Sequence, residues 1–333
     1  MAAPGGISVI INERSGTAAR VDAGHQIQAL FAEAGAQARI ERVHNPGDIA
    51  ARARQAAARG DTLVAAGGDG TLNAVAGVAI ATNSTFAVLP MGTLNHFAKD
   101  VRIPLDLAAA VAVVVAGHHH DLDVGEVNGH LFLNNSSVGL YPRMVWERHA
   151  EQRKGHSKWV AFLIASVRTW RQYSTTSAHV SIDGKPLAVR TPFIFVGNNT
   201  YTLEGLEIGA RAALDRGNIS VFIAPECGRF EILALPFRAL ARRLAMDPTL
   251  VHYDARDVRV DLRRRRVGVS LDGEIVVMQP PLQYRVRAGV LRTLVPAPVE
   301  TDAAPAGLVR QDAANRGLGT EAAPGSSPLE RTP

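Results

Sequence analysis

The chain has 333 residues, 47% of them apolar and 20% charged, which is enough to bury a core in each of two domains. Its single cysteine, Cys227, excludes an internal disulfide and a cysteine-built zinc site, and suits a reducing cytoplasm. A net charge of +5 is compatible with nucleic acid, anionic lipid or phosphorylated ligands and selects none of them.

The opening residues, 1–6, have neither the basic start nor the apolar run of a secretion signal. Residues 7–11 read as a buried strand, 22–35 as a helix, 38–43 as a second strand and 48–59 as a second helix closed by Gly60. A third strand over 62–66 runs into Gly67-Gly68-Asp69-Gly70-Thr71 and a helix from Leu72. A fourth over 85–89 runs into Pro90-Met91-Gly92-Thr93 and another helix. Short β-α repeats of this kind predict a parallel sheet with flanking helices. The longest apolar stretch, 105–117, is interrupted by Asp106 and falls short of the roughly 20 residues a bilayer requires, so no crossing is expected.

Beyond about residue 123 the pattern changes. Strand-like runs occupy 127–138, 178–182, 187–196, 219–223, 258–262, 267–271 and 282–286, with hairpin signals at Asn128-Gly129, Asp183-Gly184 and Asp272-Gly273. Helical insertions are expected at 146–171 and 229–245. The prediction is an α/β domain over 1–125, a mainly antiparallel β-sandwich over 126–296 and a disordered tail over 297–333, rich in Ala, Pro and Gly.

Chemistry concentrates first in Gly67-Gly68-Asp69-Gly70-Thr71-Leu72-Asn73, between an apolar strand and a helix. Glycines there let the backbone approach an anion, and the free amides of the helix N-terminus point at it. Asp69 in that turn would repel phosphate unless a cation lay between, so it reads as a metal-mediated contact, as an orienter of the reacting groups, or simply as a helix cap. Pro90-Met91-Gly92-Thr93-Leu94-Asn95 repeats the device after the next strand. Adjacent parallel strands bring both turns to one carboxyl edge, together with Asn12, Ser15 and Gly16 after the first strand. Asp272-Gly273-Glu274 is either a plain hairpin or a rigid mount for a general base.

In that order, these segments resemble the diacylglycerol kinase catalytic family, in particular its bacterial lipid kinases, with sphingosine and ceramide kinases as wider relatives. The resemblance covers roughly residues 7–296. Its first motif alone is shared with NAD kinases and phosphofructokinases. It implies an α/β nucleotide-binding domain like theirs, a β-sandwich for the lipid, and ATP with Mg²⁺ in a cleft between them. It assigns catalysis to Glu274, Asp69 and Asp272, with Glu274 as the base. Nucleotide contacts fall to Asn12, Ser15, Gly16, Gly67, Gly68, Asp69, Gly70, Thr71, Leu72, Asn73, Gly92, Thr93 and Asn95. Asp69 would meet the metal through the nucleotide. An acidic residue is also expected near Asp121 or Asp123, with Asp121 the choice.

Three departures stand out. His96 replaces the aspartate of the family's Asn-Asp-Phe, and Val43 replaces a threonine found in some relatives. Arg216 replaces the second aspartate of a structural-metal signature at 213–218, so that metal is expected to be absent, with the Arg216 guanidinium in its electrostatic place. The His118-His119-His120 tract lies in a loop by this reading, where adjacent side chains chelate poorly. Trp146, Trp159 and Trp170 lie among basic residues, as on a membrane-surface helix or an ordinary buried face. Arg263–Arg266 reads as a strand with one solvated side. The expected activity is a lipid kinase, with a kinase for a soluble acceptor such as NAD⁺, or a nucleotide- or lipid-binding sensor, as alternatives. The expected setting is cytoplasmic, with peripheral contact at the inner membrane surface, no nucleic acid, and a homodimer left open.

Overall fold

The computed structural model describes residues 5–13, 22–92, 95–139, 175–201, 211, 213–224 and 250–297. The first stretch alternates as β1 (Ile7–Asn12), α1 (Ala23–Glu33), β2 (Ala38–Val43), a 3-10 turn (Pro46–Asp48), α2 (Ile49–Ala58), β3 (Thr62–Ala66), α3 (Asp69–Thr82), β4 (Phe86–Leu89), α4 (His96–Asp100) and α5 (Leu107–Ala116). β1, β3 and β4 are almost continuously apolar and buried, as strands covered on both faces must be. β2, at the sheet edge, buries only its two end residues, Ala38 and Val43. These four strands pair parallel in the order β2-β1-β3-β4. Local chemistry ends the helices: Asn83 closes α3 in the left-handed conformation at φ 52° and Gly117 closes α5 at φ 72°.

The second stretch contains β5 (His119–Val127), β6 (His130–Phe132), β7 (Asn135–Gly139), β8 (Thr176–Ile182), β9 (Lys185–Thr191), β10 (Phe193–Asn198), β11 (Ile219–Ile223), β12 (Val251–Ala255), β13 (Asp257–Leu262), β14 (Val267–Leu271), β15 (Glu274–Met278) and β16 (Leu282–Leu294). All three predicted hairpins form. Both turn residues have positive φ in each: 47° and 83° at Asn128-Gly129, 46° and 82° at Asp183-Gly184, 47° and 87° at Asp272-Gly273. That pairing makes a type I′ turn, whose twist suits the flanking strands.

β7, β10, β11, β12, β14 and β15 form one antiparallel sheet in the order β12-β11-β10-β7-β14-β15. The other sheet continues the parallel strands through β16 to β13, β8 and β9, with β5 alongside β16. Val196, Val221 and Val269 of the first sheet bury against Val258, Leu282 and Tyr284 of the second, so the predicted α/β domain and β-sandwich are both present. β16 belongs to both: its early residues pair with β13, and Thr293 pairs with Phe86 of β4.

Several local expectations change. Residues 127–138 are three elements rather than one strand, because the Asn128-Gly129 turn reverses the chain and Asn134 bends out of pairing. The run 187–196 breaks at Pro192, which has no N–H to donate. There the Thr191 hydroxyl donates to the carbonyls of Phe193 (2.7 Å) and Ala224 (3.0 Å), and the chain passes from one sheet to the other. His119 and His120 open β5 instead of lying in a loop. Arg263–Arg266 form an exposed connection between β13 and β14, not a strand. The expected helices at 146–171 and 229–245, with their tryptophans, and nearly all of the tail lie outside the described residues. Among the described residues no helix is long and apolar enough to cross a membrane.

Candidate active site

The buried end of β3 delivers Gly67 and Gly68 to the carboxyl edge of the parallel sheet. Gly68 caps α3 in an extended conformation, and its carbonyl accepts the amides of Thr71 (2.9 Å) and Leu72 (3.1 Å). The first amides of α3 have no partner within the helix and so face outward at its positive end. A methyl group on Gly67 would stand 2.6 Å from Thr71 Oγ1, so only glycine lets the chain turn this tightly. The buried Thr71 hydroxyl in turn accepts from Asn12 Nδ2 at 3.4 Å, which ties the end of β1 to the same turn.

The second turn abuts the first. A Cβ on Gly92 would lie 3.2 Å from both Gly67 O and Gly68 Cα. Asn95, left-handed at φ 52°, accepts the Gly92 amide on Oδ1 at 2.9 Å and holds this turn in shape. Two glycine turns and one helix N-terminus therefore form a continuous backbone cradle whose glycines leave room that side chains would fill. Its composition fits a polyphosphate.

The β14–β15 hairpin closes over this cradle. Asp272 sits at the first turn position, and its carboxylate accepts three successive backbone amides: Leu133 at 2.7 Å on Oδ2, with Asn134 and Asn135 at 2.8 Å each on Oδ1. Asn73 of α3 also hydrogen-bonds to it. Burial pushes the Asp272 carboxyl up from its ordinary value, and these donors oppose the rise. In the three backbone contacts the carboxylate is the acceptor, so they favour the anion against burial. Two residues on, the Glu274 carboxylate lies directly over Gly70, where an added Cβ would collide with Oε1.

Asp69 opens α3 beneath this hairpin. Burial raises its carboxyl above the ordinary value, Asp272 and then Glu274 add to the rise by charge repulsion, and His96 opposes it. His96 is exposed at the start of α4 and is thus within electrostatic reach of Asp69. A carboxylate crowded by two others fits a divalent cation, which would relieve the repulsion. Among the described residues no three such side chains converge to hold an ion unaided. A cation at Asp69 would therefore complete its shell from nucleotide phosphates and water.

The other acidic candidates differ in their surroundings. Asp121 is half exposed on β5 and pairs with Arg292 at 3.4 Å. Asp123 is the buried one, and it accepts the amides of Gly289 (2.8 Å) and Gly217 (2.6 Å). The 213–218 segment is tied by protein groups. Gly217 bonds to Asp123, the Arg216 amide donates to Asn199 Oδ1 at 3.0 Å, and Asp215 pairs with His120 at 3.1 Å. The side chain of Arg216 itself belongs to an exposed residue. Ser15, Gly16 and Thr93 lie outside the described residues. Asn12, Gly67, Gly68, Asp69, Gly70, Thr71, Asn73, Gly92 and Asn95 are gathered at one edge with Asp272 and Glu274, while Leu72 is buried in α3. Asp100, Asn134, Asn198 and Arg211, which join the two halves behind this edge, carry no motif, and sequence reasoning missed them.

Residues 6–127 match the diacylglycerol kinase catalytic domain, and residues 142–295 match the YegS C-terminal NAD kinase beta sandwich-like domain. The diacylglycerol kinase of Bacillus subtilis is 27% identical over 260 residues, 77% of this chain and 85% of that protein. That of Staphylococcus aureus is 27% identical over 217 residues, 64% of this chain and 68% of that protein. A crystal structure of a diacylglycerol kinase from Bacillus anthracis superposes with a TM-score of 0.64 at 18% identity, covering 88% of this chain and 97% of the other. Another from the same organism gives 0.70 at 21% identity, covering 89% and 99%. At those identities the superpositions speak to the fold.

Proposed function

Because the chain belongs to the diacylglycerol kinase catalytic family, we propose that it transfers the γ-phosphoryl group of ATP to the hydroxyl of a lipid, with diacylglycerol the first acceptor to try. The observation that carries this reading is the placement of Glu274 directly over Gly70, so that a carboxylate and a phosphate cradle face each other.

In this reading the amides of Gly67, Gly68, Asp69 and Gly70 bind and orient the phosphates, with the Gly92 turn packed beside them. Asp69 would hold the divalent cation, which when bound screens phosphate charge. Glu274 takes the proton from the acceptor hydroxyl as its oxygen forms the new bond to the γ-phosphorus and the bond to ADP breaks. Asp272 is spent on backbone amides and serves to fix the hairpin, so its share in catalysis is positional. A lipid acceptor requires contact with a membrane surface, made peripherally by this chain.

The test is transfer of labelled γ-phosphate from ATP with Mg²⁺ to a panel of detergent-dispersed lipids and to NAD⁺. Label on a lipid supports the proposal and names the acceptor. Label on NAD⁺ alone replaces it with a small-molecule kinase. No label on any acceptor, with ATP still bound, makes the chain a nucleotide-binding sensor.

A further inference from the structure

Behind the cradle and the hairpin lies a buried guanidinium that no part of the proposed chemistry uses. The Arg211 side chain is fully enclosed, and its five hydrogen bonds go to three separate segments. Nε and Nη2 both donate to Asp100 Oδ2, at 2.9 and 2.7 Å. Nη1 donates to the carbonyls of Leu133 (2.6 Å) and Asn198 (3.3 Å), and Nη2 also reaches Asn134 Oδ1 at 2.9 Å. The Tyr201 ring lies 5.7 Å from the guanidinium carbon, and its hydroxyl donates to Asn134 O at 2.7 Å. Burial pushes that phenol up to about 12, so it remains a donor.

The two ends of this arrangement are the two sides of the site. Asp100 ends α4, which starts immediately after Asn95, the residue that shapes the Gly92 turn. Leu133 and Asn134 belong to the segment whose three amides grip Asp272, and Asp272 sets the hairpin that carries Glu274. A continuous run of bonds thus leads from the second glycine turn, through α4, Asp100, Arg211 and the 133–135 segment, to Asp272 and Glu274.

We propose that Arg211, with Asp100, is a positioning residue that fixes the distance between the phosphate cradle and Glu274. It touches neither substrate nor reacting atoms. The proposal rests on the kinase reading above for its consequence, though not for the coupling itself. The planar fork of arginine is what the position demands. One rigid group must address a carboxylate, two carbonyls and an amide oxygen in different directions, which the single nitrogen of lysine cannot do. A displacement of about 1 Å between reacting groups lowers a rate by about 10²-fold without abolishing binding.

The experiment compares the unaltered chain with Arg211→Lys, Asp100→Asn and Asp100→Ala. The expected result for Arg211→Lys is a fall in kcat of roughly 10- to 100-fold with KM for ATP changed less than about threefold. Asp100→Asn, which keeps an acceptor oxygen, should retain more turnover than Asp100→Ala. If Arg211→Lys does not fold, the two Asp100 variants carry the same comparison. An arm independent of turnover is amide hydrogen exchange in the nucleotide-free chain. Exchange at Leu133, Asn134 and Asn135 should speed up in Arg211→Lys, while the interior of α2 stays unchanged. Unchanged exchange at those three amides, or unchanged kcat in a variant with lowered melting temperature, would overturn the proposal and leave Arg211 a structural strut. If the unaltered chain phosphorylates nothing, the kinase reading fails and the exchange arm alone decides the coupling.

Discussion

The glycine turns of the parallel sheet and the hairpin of the β-sandwich face each other across the site, and they are held by opposite means. The turns are local objects: Gly68, Thr71 and Leu72 bond within five residues, and so do Gly92 and Asn95. Asp272 is held by partners 137 to 139 positions away in the chain. Each turn on the side that would grip phosphate is therefore shaped by near neighbours in sequence, and the side that would carry the base is held by distant ones.

The sharpest way to break this contrast is where the hairpin carboxylate meets the first glycine turn. Gly70→Ala adds a methyl group where Glu274 Oε1 lies. Turnover should fall by roughly 10² or more, since the base must move. Stability should hold or rise slightly, because alanine is the better helix former by about 1 kcal/mol. A Gly70→Ala protein with full turnover would show that Glu274 does not need its place above the turn.

Asp272→Ala attacks the long-range side alone. It orphans three amides, and we expect a loss of about 3 kcal/mol in denaturant unfolding together with loss of turnover. Asp272→Asn, with one acceptor oxygen, should fall between. A loss below about 1 kcal/mol for the alanine variant would mean that water or a neighbour replaces the carboxylate.

Asp69 gives the contrast a pH dependence. Its carboxyl binds a proton more tightly in the folded chain than the ordinary value of 3.8 allows, because of burial, Asp272 and Glu274. Between that value and its raised folded one the native state holds more protons than the unfolded chain. Asp69 therefore detracts progressively from stability as pH rises through this window. Melting curves of the ligand-free chain should show Asp69→Asn to be the more stable protein at neutral pH and no better at pH 3. Mg²⁺ with ATP should reverse that order at neutral pH, since only the carboxylate holds the cation. Equal stabilisation of both proteins by Mg²⁺ with ATP would take Asp69 out of the metal site.

The smallest effect separates two neighbours on β5. Asp123→Ala removes a buried carboxylate that accepts the amides of Gly217 and Gly289, and should cost about 2 kcal/mol. Asp121→Ala breaks only a half-exposed pair with Arg292 and should lie within about 0.5 kcal/mol of the unaltered chain.

Much of the fold was legible because its signals are short-ranged. The β3-glycine-α3 passage, the Gly92 turn and the three type I′ hairpins each need only a few adjacent residues to declare themselves. What stayed hidden depends on distant partners. The start of β5, His119-His120-Asp121, is a polar stretch that becomes a strand because β16 pairs with it, and the short β12 shows itself only by pairing with β11. β16 runs to Leu294 although Gly289, at φ 60°, marks an irregularity that reads as a strand end. The difference in burial between Asp121 and Asp123 was not legible from alternation along β5, because its first three residues are all exposed and the next six all buried. Arg211 and Asp100 are 111 residues apart and belong to no motif.

The measurement that bears most directly on the central claim is single-turnover phosphoryl transfer by Glu274→Gln, with ATP binding measured on the same protein. If Glu274 is the base, transfer falls by about 10²- to 10⁴-fold while ATP binds as before. Transfer at the unaltered rate would contradict the account and move the proton acceptor elsewhere in the site.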